Sequence, residues 1–173
     1  MSNEILSGPD RISFYWTVSE LLNTDSMFTL YTSESKITES GQLLVDELSL
    51  TVDEEDIFLT LLKDAVYEVF SRFLKYTKGI TDAIKFNVAY TPTGGSANNS
   101  VVLQIVKQTG YNSNILNSVD LLLEKSIRYY VLREWFSIKD LNTDAEKAGM
   151  NYVAATNDLL HYSLKLKQPG IVF

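Results

Sequence analysis

The sequence predicts a mainly α-helical fold: a three-helix antiparallel bundle with an inserted β-hairpin, an N-terminal extension and an extended C-terminal tail. Three observations support this fold class. Residues 51–79 combine capping signals with a broad apolar face, residues 84–106 contain two strand-like stretches, and residues 118–167 contain two further helical patterns. The predicted organisation is therefore an N-terminal arm or lead-in over residues 1–50, a helical body over 51–167 and a tail over 168–173.

The first predicted helix covers residues 51–79 and carries signals at both ends. Thr51 and Glu54 have the spacing of a capping box, in which each side chain satisfies a free backbone N–H of the other residue. Residues 53–56 are all acidic, which suits the positive end of the helix dipole, and Gly79 offers the left-handed conformation that commonly closes a helix. The apolar face contains Ile57, Phe58, Leu61, Leu62, Ala65, Val66, Val69, Phe70, Phe73 and Leu74.

Two strand-like stretches follow and predict the β-hairpin over residues 84–106. The apolar residues of the first stretch alternate with polar or small ones and are Ile84, Phe86, Val88 and Tyr90. Residues 101–106 are rich in Val and Ile and form the expected partner strand, while residues 91–100 are small turn formers. Because an isolated hairpin is marginal in water, this one must pack on the helices or pair with another strand.

Two more helices are predicted to form an antiparallel hairpin. The first runs from about residue 118 to Ile138, and Glu124 and Arg128 form a favourable i,i+4 pair on it. After a short link, Thr143 and Glu146 repeat the capping-box spacing and open the last helix. The buried face of the first helix is predicted to contain Leu121, Leu122, Ile127, Tyr130, Val131, Trp135 and Ile138. The last helix carries small residues that allow close helix packing, namely Ala145, Ala148, Gly149 and Ala155.

The N-terminal part of the chain has the least regular pattern. Residues 14–16 favour a strand, whereas residues 19–22 favour a helix, so a short helix and an extended apolar arm are both possible here. We expect this segment to fold onto the core of its own chain, and the alternative is an arm that docks on a neighbouring subunit. Residues 24–50 predict two short strands or an irregular lead-in, because apolar residues alternate there only over short stretches.

The composition limits the class of function. The net charge is −7 and no basic patch is visible, which argues against a protein that binds nucleic-acid phosphates. There is no Cys, so disulfides and thiolate metal sites are excluded. The sequence has no signal-peptide pattern at its N-terminus, and no stretch approaches the ~18 uninterrupted apolar residues of a membrane span. We therefore expect a protein that is neither secreted nor membrane-spanning.

No residue pattern predicts a catalytic residue, a cofactor or a metal ion. His161 is the only histidine, and we expect a partly exposed polar residue there because no catalytic or ligating partner accompanies it. The acidic run at residues 53–56 lacks the alternating ligands and central Gly of a calcium loop, and Gly94-Gly95 lacks the Lys of a phosphate-binding loop. An enzyme built from carboxylates alone is kept as an alternative, because such a site leaves no local signature.

The layout resembles the head–tail connector proteins of tailed bacteriophages, also called adaptor, head-completion or neck ring proteins. The resemblance covers about residues 51–166. It rests on an acid-started helix, an apolar helix that ends in the aromatic-rich residues 129–136, and a closing amphipathic helix. This chain departs from the family pattern by its longer N-terminal segment and by the hairpin at residues 84–106.

The resemblance implies a structural virion protein without catalytic activity, assembled in the host cytoplasm as a subunit of a usually dodecameric ring between portal and tail. Its partners would be copies of itself, the portal protein and the next tail or neck protein. DNA would pass through the channel without specific binding, because an acidic surface repels phosphates. The hairpin would reach a neighbouring subunit or ring, and its predicted contact residues are Phe86, Val88, Tyr90, Val102 and Ile105.

The tail is the second contact that the resemblance implies. Residues 168–173 would leave the bundle and add their backbone to a sheet edge of a partner, with Ile171 and Phe173 as anchors and Val172 between them. Deletion of residues 169–173 is expected to leave a folded protein that no longer joins its partner. The alternative function is a small cellular helical module that binds a protein partner without catalysis, and such a module would stay a monomer or dimer.

Overall fold

The computed structural model of the chain describes residues 4–8, 10–34, 36, 44–72, 83–90, 98–107 and 113–165. The fold is mainly helical, with a small antiparallel sheet of four strands. The strands are β1 (Glu4–Ser7), β2 (Arg11–Thr17), β3 (Ile84–Tyr90) and β4 (Asn98–Val106). The helices are α1 (Val18–Ser33), the one-turn α2 (Val45–Leu48), α3 (Glu55–Ser71), α4 (Leu116–Ile138) and α5 (Asn142–Lys165).

The strands of the sheet are in the order β1-β2-β4-β3. β3 and β4 form the predicted hairpin, with Ile84 opposite Leu103 and a register shift between Lys85 and Val88. On its other side β4 pairs with β2, which places Phe14 opposite Leu103. β4 is therefore an interior strand. The third strand, which a two-stranded hairpin needs for stability, is β2 from the N-terminal segment of the same chain.

The N-terminal segment contributes two strands and the first long helix. The strand-favouring and helix-favouring residues each fold as their own preferences indicate, since β2 ends at Thr17 and α1 begins at Val18. The side chains of Ile12, Phe14 and Trp16 are fully buried in the common core. The prediction of strands or irregular structure is wrong for residues 24–33, because α1 continues through them.

The buried face of α1 explains why its apolar pattern did not indicate a helix. The face begins with apolar residues but continues with buried polar residues at every fourth position, Asp25, Thr29 and Ser33. Thr29 Oγ1 accepts a hydrogen bond from the Leu50 N–H at 2.9 Å, and Ser33 Oγ lies 3.1 Å from Ser49 Oγ. Since apolar periodicity is the main sequence signal for a helix, a polar stripe on the buried face removes that signal.

Helix α3 begins as predicted, after a 3₁₀ turn over Val52–Glu54 that carries the capping box. Glu54 Oε2 accepts hydrogen bonds from the Thr51 N–H at 2.8 Å and from the Thr51 hydroxyl at 2.6 Å. Most of the predicted apolar face is buried, namely Phe58, Leu62, Ala65, Val66, Val69 and Phe70, whereas Ile57 is exposed. The predicted positions Phe73, Leu74 and Gly79 lie outside the described residues.

Helices α4 and α5 form an antiparallel hairpin around a short link in which Asp140 has a φ of 56°. The rings of Tyr130 and Tyr152 meet edge to face at 5.7 Å, and Arg133 packs beside Gly149. Both pairs are centred on residue 141, so the two helices run in opposite directions. The buried small residues on α5, Ala145, Ala148 and Ala155, make this close packing possible.

Two details of these helices differ from the predictions. Leu121 and Ile138 are exposed, and Val119 and Leu123 are fully buried instead. Because α4 is apolar over much of its circumference, periodicity alone did not determine which side faces the core. The capping box expected at Thr143 is also wrong, since α5 begins at Asn142 and residue 143 lies inside the helix.

Candidate functional site

Two of the predicted hairpin contact residues are buried in the sheet. Val102 and Ile105 are each 2% exposed, so a partner cannot reach them while the sheet is folded. The two side chains lie on opposite faces of the interior strand β4. Ile105 is part of the hydrophobic core and lies opposite Ile12, whereas Val102 lies between Tyr15 and Lys85. A contact of either residue with a partner requires this sheet to open, and it stays a prediction.

The other predicted contact residues are placed differently. Phe86 is half-buried on β3, which is an edge strand of the described sheet, and one side of its ring faces α3. The described side chains do not include those of Val88, Tyr90, Ile171, Val172 and Phe173, although Val88 and Tyr90 belong to β3. Phe86 is therefore the predicted contact residue that the structure places at an accessible position.

A shallow groove of about 300 Å³ lies between α3 and β3, and we call it the α3–β3 groove. It is lined by Leu59, Lys63, Tyr67 and Phe86. The first three residues are four positions apart and so lie along one side of α3. The rings of Tyr67 and Phe86 are 5.8 Å apart, and Tyr67 is 51% exposed. The groove thus presents aromatic surface with one ammonium group beside it, a combination that suits a protein contact.

A second groove of about 250 Å³ lies where α1 meets α4 and α5, and we call it the three-helix groove. It is lined by Phe28, Thr32, Tyr129, Phe136, Asp144, Lys147, Ala148 and Asn151. The rings of Phe28 and Phe136 are 6.4 Å apart. Asp144 lies 2.9 Å from the ammonium of Lys36 and 3.7 Å from that of Lys147, so the polar end of the groove carries an ion-pair network.

A buried charge cluster joins α1 to α4, and we define it as Asp25, Glu124 and Arg128. Arg128 Nε donates to Asp25 Oδ1 at 2.7 Å, and Arg128 Nη1 lies 3.8 Å from Glu124 Oε1. Asp25 is 1% exposed and Glu124 is 4% exposed. The predicted Glu124–Arg128 pair is present, but the sequence did not reveal Asp25 as the closer partner of Arg128.

Burial raises the pKa of Asp25 from 3.8 to about 7, although the Arg128 guanidinium acts in the opposite direction. The carboxylate accepts one hydrogen bond at Oδ1, while Oδ2 is buried and accepts none from the described residues. A buried carboxylate stays ionised only when enough donors and positive charges replace its lost water. The negative charge of Glu124 adds to the rise. Near neutral pH the carboxyl of Asp25 is therefore partly protonated.

Converging carboxylates with a shifted pKa occur in catalytic sites and also in buried ion-pair networks. Neither Asp25 nor Glu124 lines the α3–β3 groove or the three-helix groove, and both side chains are buried where α1 packs on α4. The geometry therefore identifies the cluster as a charged contact between two helices.

Among the described residues, no group of three or more His, Cys, Asp or Glu side chains is placed to hold a metal ion. His161 is exposed, as expected, and its ring meets that of Tyr162 edge to face at 6.0 Å. No helix within the described ranges combines the length and the apolar character needed to cross a bilayer.

We compared the chain with protein-family models, with curated proteins and with solved structures, and none of the three comparisons found a match. The two grooves and the buried charge cluster are therefore the features from which a function is inferred.

Proposed function

We propose that this chain is a structural assembly protein, a subunit of the head–tail connector ring of a tailed bacteriophage that joins the portal to the tail and extends the DNA channel. The observation that carries the proposal is the presence of two separate grooves, each lined by aromatic side chains. A subunit in a closed ring needs two different surfaces, one for each neighbour. The α3–β3 groove and the three-helix groove share no residue and are built from different elements, which meets this requirement.

The surface of α1 supports an interface at the three-helix groove. Met27, Phe28 and Tyr31 are exposed next to it, within little more than one helical turn. Met and aromatic residues are enriched at protein interfaces, and a contiguous apolar patch on a monomer marks an interaction surface. We infer that α1 and its groove form the larger of the two contacts.

The remaining parts of the chain have roles in the same proposal. The body is a bundle of α3, α4 and α5 with the hairpin beside it. Residues 168–173, which lie outside the described residues, have the role of binding an adjoining ring, portal or tail protein. The net charge of −7 favours a channel wall along which DNA moves without binding, because like charges repel the phosphates. The assembled protein belongs to the neck of the virion.

The assembly state tests the proposal. We expect the purified protein, alone or with a portal protein, to form rings that electron microscopy and native mass spectrometry detect. Tyr67→Glu in the α3–β3 groove and Tyr31→Glu beside the three-helix groove should each leave a folded protein that no longer closes a ring. Met150→Glu is the matched control, because Met150 is exposed on α5 and lines neither groove.

A protein that stays a monomer or dimer at all concentrations and does not bind a portal would contradict the connector proposal. If the same two variants then abolish binding of a cellular protein, the alternative of a small helical binding module is supported. Rings that form equally well with Tyr67→Glu and Tyr31→Glu would show that neither groove is the interface.

A further inference from the structure

Helix α1 packs on the rest of the molecule through the core residues Val18, Leu21 and Leu22 and through polar contacts further along the helix. Thr29 and Ser33 form hydrogen bonds between neutral groups, Thr29 with Leu50 and Ser33 with Ser49. Asp25 forms a charged hydrogen bond with Arg128 of α4. All three residues are buried, and Asp25 differs from the other two because its side chain carries a titratable group. The strength of its contact therefore depends on whether the carboxyl is ionised.

The charges around Asp25 do not balance an ionised carboxylate. Helix α4 provides Arg128, whose Nε lies 2.7 Å from Asp25 Oδ1, and Glu124, whose Oε1 lies 3.8 Å from Nη1 of the same guanidinium. Among the described residues, the charged groups that act on the pKa of Asp25 are Arg128, which lowers it, and Glu124, which raises it. One guanidinium thus faces more than one carboxylate, and Asp25 Oδ2 accepts no hydrogen bond from the described residues. Protonation of Asp25 relieves this imbalance, whereas ionisation creates it.

We propose that Asp25 acts as a proton-dependent latch that holds α1 against α4. While the carboxyl is protonated, α1 is fully seated; when the carboxyl ionises, a negative charge without enough donors remains at the helix contact and α1 is loosened. The latch thereby makes the order of α1 depend on pH.

The latch also acts on the three-helix groove. Phe28 and Thr32, which line the groove, follow Asp25 on the same helix by three and seven residues. A rigid helix moves these residues together, because one turn contains 3.6 residues. Loosening of α1 therefore moves one wall of the groove. This consequence holds for any partner of the groove and does not require the connector proposal.

The direction of the pH dependence follows from the raised pKa of Asp25. A carboxyl that binds its proton more tightly in the folded state contributes full stability below its unfolded pKa of 3.8 and loses it as pH rises through about 7. Above that pH the contribution is constant. Between pH 5 and pH 8, a shift of this size lowers the folding equilibrium constant about 100-fold relative to a chain without the group.

Asp25→Asn is the direct test, because asparagine keeps an acceptor for Arg128 and mimics the protonated carboxyl. We expect the folding equilibrium constant of the wild type, divided by that of Asp25→Asn, to fall about 100-fold between pH 5 and pH 8 in urea denaturation. The control is Glu34→Gln, which removes an exposed carboxylate just after α1 and should follow the wild type at both pH values. A ratio for Asp25→Asn that does not change with pH would overturn the latch.

Two measurements on the wild type do not depend on the folding of a variant. A carbon-13 NMR titration of the Asp25 carboxyl should have its midpoint between about pH 6 and pH 8, and a midpoint below about pH 5 overturns the proposal. Hydrogen exchange, corrected for intrinsic rates, should show lower protection of α1 at pH 8 than at pH 5, with α5 unchanged. Protection of α1 that is equal at both pH values overturns the latch even if Asp25 titrates near neutral pH.

Discussion

Asp25 at the contact of α1 with α4 and Glu54 at the start of α3 both lie next to a basic side chain, yet folding shifts their pKa in opposite directions. Asp25 Oδ1 is 2.7 Å from Arg128 Nε, whereas Glu54 Oε1 is 3.5 Å from Lys139 Nζ. Distance alone would make Asp25 the more stable anion. Instead its pKa is raised to about 7, while that of Glu54 is lowered from 4.5.

Solvent and the number of donors explain the difference. Burial acts to raise the pKa of both groups, but the Asp25 side chain is 1% exposed and that of Glu54 is 23% exposed. Glu54 also accepts two hydrogen bonds from Thr51 and is attracted by Lys139, and together these outweigh its burial. A short ion pair therefore does not by itself indicate a stable anion. The sign of the pKa shift depends on whether hydrogen-bond donors and positive charges of the protein compensate for the water that the carboxylate loses on burial.

The largest effect is expected from Arg128→Met, which breaks the buried pair and leaves Asp25 without its cation. Removal of one partner of a buried ion pair costs about 3–5 kcal/mol. The loss should appear in full at pH 8 and be smaller at pH 5, because Asp25 then takes up a proton. Urea denaturation at the two pH values measures it.

Arg133→Met is the matched control on the same helix. Arg133 is partly exposed and lies over the ring of Tyr130 at 4.5 Å, so its loss should cost about 1 kcal/mol or less at either pH. Equal losses for Arg128→Met at pH 5 and pH 8 would show that Asp25 does not take up the proton.

A smaller effect is expected from Thr51→Ala, which removes the hydroxyl that donates to Glu54. Loss of an N-terminal capping residue costs about 1 kcal/mol. Because folding lowers the pKa of Glu54, its contribution is present above the unfolded value of about 4.5 and is lost as pH falls through the folded value. The cost of Thr51→Ala should therefore be larger at pH 7 than at pH 3 in thermal unfolding.

Thr60→Ala provides the comparison for that experiment. Thr60 is exposed within α3, and its hydroxyl bonds only to the Asp56 carbonyl of its own helix among the described contacts. We expect no measurable loss of stability there. If Thr51→Ala behaves like Thr60→Ala, the capping box does not stabilise the start of α3.

The smallest effect is expected from Lys139→Gln, which removes the cation near Glu54. Both side chains of this pair are partly exposed. Such pairs contribute about 0.2–1 kcal/mol, and salt screens them. A double-mutant cycle with Glu54→Gln at low and high salt measures the coupling. A loss that persists in high salt and in the Glu54→Gln background would indicate the contact of Lys139 with the Trp135 ring instead.

The sequence predicted contacts between residues close in the chain and did not predict contacts between distant ones. The capping box of Thr51 and Glu54, the hairpin strands and the Glu124–Arg128 pair involve residues close in the chain, and the sequence predicted all of them. The pairing of β2 with β4 and the bond between Asp25 and Arg128 join residues roughly a hundred positions apart, and the sequence predicted neither.

The sequence likewise predicted only part of the candidate site. The alternating pattern predicted Phe86 as a strand residue, and the resemblance to connector proteins implied its role as a contact residue. Neither predicted that Tyr67 of α3 lies beside it in the α3–β3 groove. Val102 and Ile105 belong to the other strand of the hairpin and are buried, and this strand is interior because it pairs with β2 as well as with β3. Which strand is interior depends on a pairing that no local pattern records.

The sequence by itself determined where α3 begins, that α4 and α5 turn back on each other, and that residues 84–106 contain two strands, because helix caps, apolar periodicity and short links act over a few residues. Tertiary structure decided that α1 is a helix despite the polar stripe at Asp25, Thr29 and Ser33, since hydrogen bonds from other elements satisfy polar groups there. It also decided the protonation of Asp25, because burial and the nearby charges come together only when α1 packs on α4.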